Sequence, residues 1–453
     1  MFFTKEKGFY HNLIRMALPI AAQNLLTFSI SMADSVMVGG LGEVALSATS
    51  LANRFFFILM ILIYGIVGGS NVLIAQYWGK KDVVSIHKVM AIMYRVVFGA
   101  TVLFVAIAQI WPEAAIRLYA GDNLEVVKSG AQYLRTVSWG FLLYSITNAT
   151  VIVMRSVQTV KIANLIYGVS LGVNVFFNWA LIYGNLGFPA MGITGAAIAT
   201  VMSRVAEFIV LIVFLWRYET KLRLSLSKLA KIERSMLKSF VQNCTPVIAN
   251  EGLWVAGSTL TGMISGRLGT NVIAASGIEG VLWQLVTVFL FGLQNATAVI
   301  VGNSIGAGEM SQLKERSQTL MSIGYFVGPI AGGLMLLLKP VALSFYQSFD
   351  LATLELASEL MNISAILLIF QSLNFIGMMG ILRGGGDLKF VLIFDVIFLW
   401  VIALPVGYLT GLVWGWPAPL VFLCLRLDEV VKSLFCLWRV NSHKWAKNLT
   451  LDT

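Results

Sequence analysis

Cysteine and histidine are nearly missing from this 453-residue chain, with three of each. Cys244, Cys424 and Cys436 fall in or beside apolar runs, and His11, His87 and His443 are scattered without metal-ligand spacing. Neither a disulfide nor a structural zinc is therefore expected. Charge is scarce as well: 12% of residues are charged and 58% hydrophobic, too little polar surface for a water-soluble globule. No GxxxxGK[ST] phosphate loop occurs, and no soluble domain that would carry one, which argues against an ATP-driven pump. An enzyme embedded in the membrane would need a His or Cys constellation at membrane depth, so no enzymatic activity and no bound cofactor are expected.

What the chain does have is long apolar runs. A spanning helix needs ~20 mostly apolar residues. Candidate spans lie near 15 to 38, 46 to 77, 89 to 111, 131 to 154, 162 to 183 and 192 to 216. Six more lie near 242 to 265, 273 to 303, 319 to 338, 358 to 382, 390 to 411 and 417 to 438.

The two sets of six are copies. An offset of 227 sets Pro19 on Pro246, Ala22 on Ala249, Gly39 on Gly266, Leu41-Gly42 on Leu268-Gly269 and Gly79 on Gly306. An offset of 228 sets Arg155 and Lys161 on Arg383 and Lys389, and one of 222 sets Arg204-x-x-Glu207 on Arg426-x-x-Glu429. Matches at apolar and small residues point to preserved helix packing within a membrane. The expected fold is an all-α membrane protein of twelve transmembrane helices, in two six-helix lobes related by a pseudo-twofold axis along the membrane normal.

Lysine and arginine set the orientation. With the N-terminus inside, the cytoplasmic side receives Lys5, Lys7, Lys80, Lys81, Arg155, Lys161, the cluster from Arg217 to Lys238, and Arg439, Lys444 and Lys447. Both termini are therefore expected in the cytoplasm, with the chain in the cytoplasmic (inner) membrane. The +10 formal charge follows largely from this bias and calls for anionic lipid, not nucleic acid, as partner. The expected domains are an N-lobe over 1–217, a linker over 218–240 and a C-lobe over 241–453. Leu222, Leu226, Leu229, Ile232 and Met236, interspersed with basic residues, suggest that the linker is an amphipathic surface helix.

Acids inside the spans are the functional candidates, because a charge at the bilayer centre costs ~2.5 to 3.5 kcal/mol or more. Glu207 and Glu429 each follow an arginine by three residues, a spacing that puts Arg204 and Arg426 on the same helix face as internal ion-pair partners. Asp34 and Glu251 have no such neighbour, and Asp395 lies near the inner end of the eleventh span. An unpaired intramembrane carboxylate must take up a proton or bind a cation. Asn174 and Asn178, one turn apart on the fifth span, and Thr200 on the sixth fall at a depth similar to Asp34. Such an oxygen layer suits a proton or a hard monovalent cation such as Na⁺, and not a transition metal.

These residues resemble the multidrug and toxic compound extrusion (MATE) transporters. Ala17-Leu18-Pro19, then Asp34 and Val38-Gly39-Gly40-Leu41-Gly42, look like that family's first helix. Similar motifs are Asn174-x-x-x-Asn178, Pro189-Ala190-Met191-Gly192, Gly195-Ala196-Ala197 with Thr200, and Leu382-Arg383-Gly384-Gly385-Gly386-Asp387. The resemblance implies an antiporter that expels organic cations or drugs against H⁺ or Na⁺ by alternating access. Its coupling site would be Asp34, Asn174, Asn178 and Thr200. Glu251, like the seventh-helix acid of the NorM-like branch, and Asp395 would supply counter-charge to the substrate or a second coupling site. Two features are mixed: the DinF-like branch has a carboxylate where this chain has Asn178, and the NorM-like branch has a tenth-helix Asp where this chain offers Gln371, Ser372 and Asn374. The choice between H⁺ and Na⁺ stays open, and a monomer is expected. The rival is a lipid-linked oligosaccharide flippase of the same wider superfamily, which usually carries a strongly basic cavity; lysines and arginines are scarce in the first-lobe spans.

Overall fold

The computed structural model describes residues 3–120, 123–224 and 233–451. Among them every regular element is helical. The first half contains α1 (Lys7–Gly39), α2 (Glu43–Gly79), α3 (Val83–Ile110), the short α4 (Pro112–Ala120), α5 (Leu124–Val137), α6 (Trp139–Ser156), α7 (Lys161–Tyr183) and α8 (Gly192–Arg217). The second contains α9 (Arg234–Arg267), α10 (Thr270–Gly306), α11 (Met310–Ser344), α12 (Leu351–Asn374), α13 (Leu388–Ile397), α14 (Leu404–Tyr408), α15 (Ala418–Cys424) and α16 (Leu427–Asn441). Helix satisfies every backbone donor and acceptor internally, the requirement for chain surrounded by hydrocarbon.

Among the described residues, nine helices are long and apolar enough to cross a membrane, and α5 with α6, bent by 52°, makes a tenth. The remaining two expected spans fall on α9, which is more polar, and on the interrupted pair α15 and α16. Helix α12 runs on through a π-helical segment at Phe375–Leu382, and further π segments follow α13 and α14. The expected linker helix over 218–240 lies partly outside the described residues. Its described ends are an irregular stretch at 218–224 and the first turns of α9.

The chain forms two compact units. The N-terminal unit comprises residues 22–74 and 82–244, and the C-terminal unit comprises 1–21, 75–81 and 245–453. Helices α1, α2 and α9 thus each belong to both. The duplicated turns after α1 and α9 use Gly42 at φ +106° and Gly269 at φ +136°, backbone that other residues rarely adopt.

Small residues set the helix contacts within each unit. In the C-terminal unit, Gly324, Gly328 and Gly332 make a stripe on α11 against α12; a Cβ at Gly332 would run into the carbonyl of Ala365. Beside it Ala275, Ile278, Leu282, Val286 and Leu290 of α10 meet Leu360, Met361 and Leu368 of α12 in one apolar cluster. In the N-terminal unit Gly195 of α8 sits under the Leu181 carbonyl of α7, and this close approach sets the depth of the polar residues between them.

Candidate functional site

Polar residues of the N-terminal unit gather where α1, α7 and α8 carry them. Asn174 and Asn178, four residues apart on α7, are fully enclosed. The Asn178 amide donates to Asp34 Oδ1 at 2.5 Å and to Asn174 Oδ1 at 3.1 Å. Asn178 Oδ1 and Asn174 Nδ2 have no partner among the described residues. Thr200 does not join the chain directly: its hydroxyl donates to the carbonyl of Ala196, one turn back on α8, at 3.0 Å. Tyr133 of α5 is enclosed beside this layer, within electrostatic reach of Asp34. Sequence reasoning missed Tyr133 because a tyrosine in an amphipathic segment carries no signal of depth.

One turn further along α8 the expected internal ion pair is present. Arg204 donates to Glu207 Oε1 at 2.6 Å, and the hydroxyl of Ser170 donates to the same oxygen at 2.5 Å. The guanidinium also lies 4.5 Å from the ring centre of Tyr144. A buried arginine, Arg155, donates to Gln23 Oε1 at 2.6 Å. This unit therefore holds one enclosed arginine and one half-buried one despite the scarcity of basic residues in its spans, with Gln23 and Glu207 as their partners.

The C-terminal unit departs from expectation at three acids. Glu251 is not unpaired, because Arg383 donates to Glu251 Oε1 at 2.8 Å from the far end of the tenth span. Asp395 does not offer a free counter-charge: Lys432 lies 2.6 Å from Asp395 and 2.7 Å from Asp428. The pair Arg426–Glu429 does not form. The twelfth span breaks at Leu425 and Arg426, so the i, i+3 face is lost, and Arg426 reaches 3.6 Å toward Glu279 of α10. Glu279 is enclosed and accepts from the Ser364 hydroxyl at 2.5 Å. A Ser–Glu–Arg constellation thus occurs in each half, with the glutamate supplied by a different helix. Glu279 and Lys432 were missed although both carry the signal of a charge inside an apolar run.

The MatE family model matches residues 19–180 and again 246–409. The chain belongs to the MATE family. The two matches begin at Pro19 and Pro246, the offset of 227 already seen in the repeat. Among curated relatives, "Probable multidrug resistance protein NorM" of Thermotoga maritima is 26% identical, over 97% of this chain and 94% of that protein. Among solved structures, a MATE in complex with MaL6 superposes with a TM-score of 0.85 at 18% identity, covering 95% of this chain and 96% of that one. A MOP superfamily transporter from Pyrococcus furiosus gives 0.84 at 18% identity, over the same shares of the two chains. That structure is described by the words "Reverse polarity of binding pocket suggests different function". Likeness at this identity establishes the fold alone, twelve helices in two lobes, while the family match and the curated relatives make the protein a multi-pass membrane transporter.

Seen in this MATE protein, the Leu382–Asp387 turn is an anchor for the chain's end. Asp387 is enclosed and holds Arg439 at 2.7 Å and Lys447 at 2.5 Å. Gly385 has no room for a side chain because the fully enclosed Trp445 ring lies against it. Gln76, at the end of α2, then clips residues 447–449 in place, donating to the Lys447 carbonyl at 3.0 Å and accepting from Leu449 N–H at 2.7 Å.

Proposed function

We propose that this MATE protein exports organic cations or drugs in exchange for H⁺ or Na⁺, by alternating access, with Asp34 as the coupling acid. The observation that carries the proposal is the Asp34–Asn178–Asn174 chain, a carboxylate held by an enclosed amide among apolar helices. In its ionised form Asp34 accepts the Asn178 N–H. Neutralising it with a proton, or with Na⁺ ligated by Asp34 and the open Asn178 Oδ1, changes what α1 gains by lying against α7. Ion and drug must prefer different arrangements of the protein for such a change to drive export. Glu251 with Arg383 is a second place for coupling or for substrate counter-charge. The names of the NorM relatives support drug as cargo. The protein would act without a bound cofactor and without enzymatic chemistry, as a monomer in the cytoplasmic membrane with both termini inside.

Purified protein reconstituted in vesicles, with proton and sodium gradients imposed separately, tests coupling. Asp34→Asn should abolish the dependence of drug export on either gradient while the protein stays inserted. Export by Asp34→Asn that keeps its normal dependence on both gradients would falsify the assignment. Reporters fused after Leu186 and Asp350 should lie outside and one after Lys228 inside; a reversal removes the proposed orientation.

A further inference from the structure

Glu207 and Glu429 occupy duplicated positions, yet their partners have diverged. Glu207 keeps its arginine three residues back. Glu429 has lost the equivalent one, because Arg426 sits at the helix break and turns to Glu279. What meets Glu429 instead is Asn374, the last residue of α12, whose Nδ2 donates to Glu429 Oε2 at 2.7 Å and to its backbone carbonyl at 2.8 Å. The charged groups facing Glu429 are Asp428 and Lys432 from α16 and Asp395 from α13. Lys432 already lies against both aspartates, so three carboxylates share one ammonium. Ionised together in a poorly solvated place, they would leave uncompensated negative charge, which is costly without a further cation or proton.

A second observation says which. Asn374 is enclosed, and its Oδ1 has no hydrogen-bond partner among the described residues, although its Nδ2 is bound to Glu429. A carboxylic acid and a primary amide pair through two hydrogen bonds, amide N–H to acid carbonyl and acid O–H to amide oxygen. The first of these is formed; the second has its acceptor waiting. Glu429 also keeps part of its side chain accessible, whereas Asp395, Asp428 and Lys432 are enclosed. A π-helical segment, a feature frequent at functional sites, begins at the residue after Asn374.

We propose that Glu429 is a second, proton-specific site of this protein, with Asn374 Oδ1 as the acceptor of its proton and Lys432 compensating Asp395 and Asp428. A proton from water adds to one carboxylate oxygen of Glu429 and its O–H turns to Asn374 Oδ1; release returns it to water, with no electrons and no co-reactant involved. A role for this site in export rests on the antiport proposed above, but its titration does not.

Infrared pH-difference spectra of the full-length protein in lipid vesicles test it without transport. In an Asp34→Asn background, lowering the pH should raise a carboxylic-acid C=O band. Adding Glu429→Gln should remove that band, and adding Asn374→Leu should move it, because the O–H loses its acceptor. A band that persists in Glu429→Gln, or is unmoved by Asn374→Leu, overturns the assignment. Suppression of the band by Na⁺ at constant pH also overturns it, since the site would then hold a metal cation. Export measured on the same samples keeps the two proposals apart: gradient-dependent export by Asp34→Asn would overturn coupling at Asp34 while leaving the Glu429 band in place.

Discussion

Gly79, at the end of α2, and Gly306, at the end of α10, lie against each other's helices within the C-terminal unit. A Cβ on Gly79 would strike the carbonyl of Asn303, and a Cβ on Gly306 would strike the carbonyl of Gln76. The two glycines are 227 residues apart, and so are Gln76 and Asn303. The repeat therefore meets itself here in a self-complementary contact, of the kind that two identical surfaces make about a twofold axis.

Substituting either glycine should therefore be felt in the backbone of the partner helix. Gly79→Ala and Gly306→Ala are each expected to cost about 1–3 kcal/mol, the usual penalty of overpacking. Gly99, in α3, has open space around its missing Cβ, and Gly99→Ala should leave thermal unfolding in detergent unchanged or raise it slightly. Equal behaviour of all three variants would remove the close contact.

Glu207 is fully enclosed, and its carboxylate neutralises Arg204. Glu207→Gln should destabilise the N-terminal unit by about 3–5 kcal/mol, because the guanidinium is left without its counter-charge. Arg204→Met combined with Glu207→Leu strands no charge and should recover most of that loss. Unfolding curves that place the double variant below the single one would contradict the pairing.

Glu251→Gln conserves shape and deletes charge, so the protein should insert normally while active export is lost. Since Arg383 would be stranded by that change, the variant Glu251→Gln with Arg383→Gln separates the two roles. Export is expected to stay lost. Recovery of export in the double variant would reduce Glu251 to a packing partner of Arg383.

The C-terminal segment should matter for stability although it lies outside the spans. Trp445 is fully enclosed and donates from its indole nitrogen to the Val440 carbonyl at 2.9 Å. Trp445→Ala is expected to cost about 3–5 kcal/mol, typical of emptying a large aromatic site. Truncation after Asn441 should cost at least as much, since it also strips Lys447 from Asp387 and the backbone partners from Gln76. A thermal midpoint unaffected by truncation would show that the tail is only laid on the surface.

Several of these features could be read in the amino-acid order, and the reason is local geometry. Helices in a membrane need long apolar runs, so most spans can be read from the amino-acid order. Arg204 and Glu207 lie three apart on an unbroken helix, so their pairing follows from helical periodicity alone. Asn174 and Asn178 share a face for the same reason, and the 227-residue repeat is a property of the string itself.

Tertiary structure decided the rest, because its determinants lie on different helices. The spacing of Arg426 and Glu429 repeats that of Arg204 and Glu207, but the break at Leu425 and Arg426 sends the arginine to Glu279. Arg383 on Glu251, Lys432 between Asp395 and Asp428, and Asn374 on Glu429 span separations that no periodicity encodes. Apolar runs say that a chain lies in the bilayer and roughly where its acids fall. Whether each acid is neutralised or left to exchange an ion depends on which neighbouring helix presents a partner, and that is set by packing at glycines such as Gly195 and Gly306 rather than by the acid's own surroundings in the sequence.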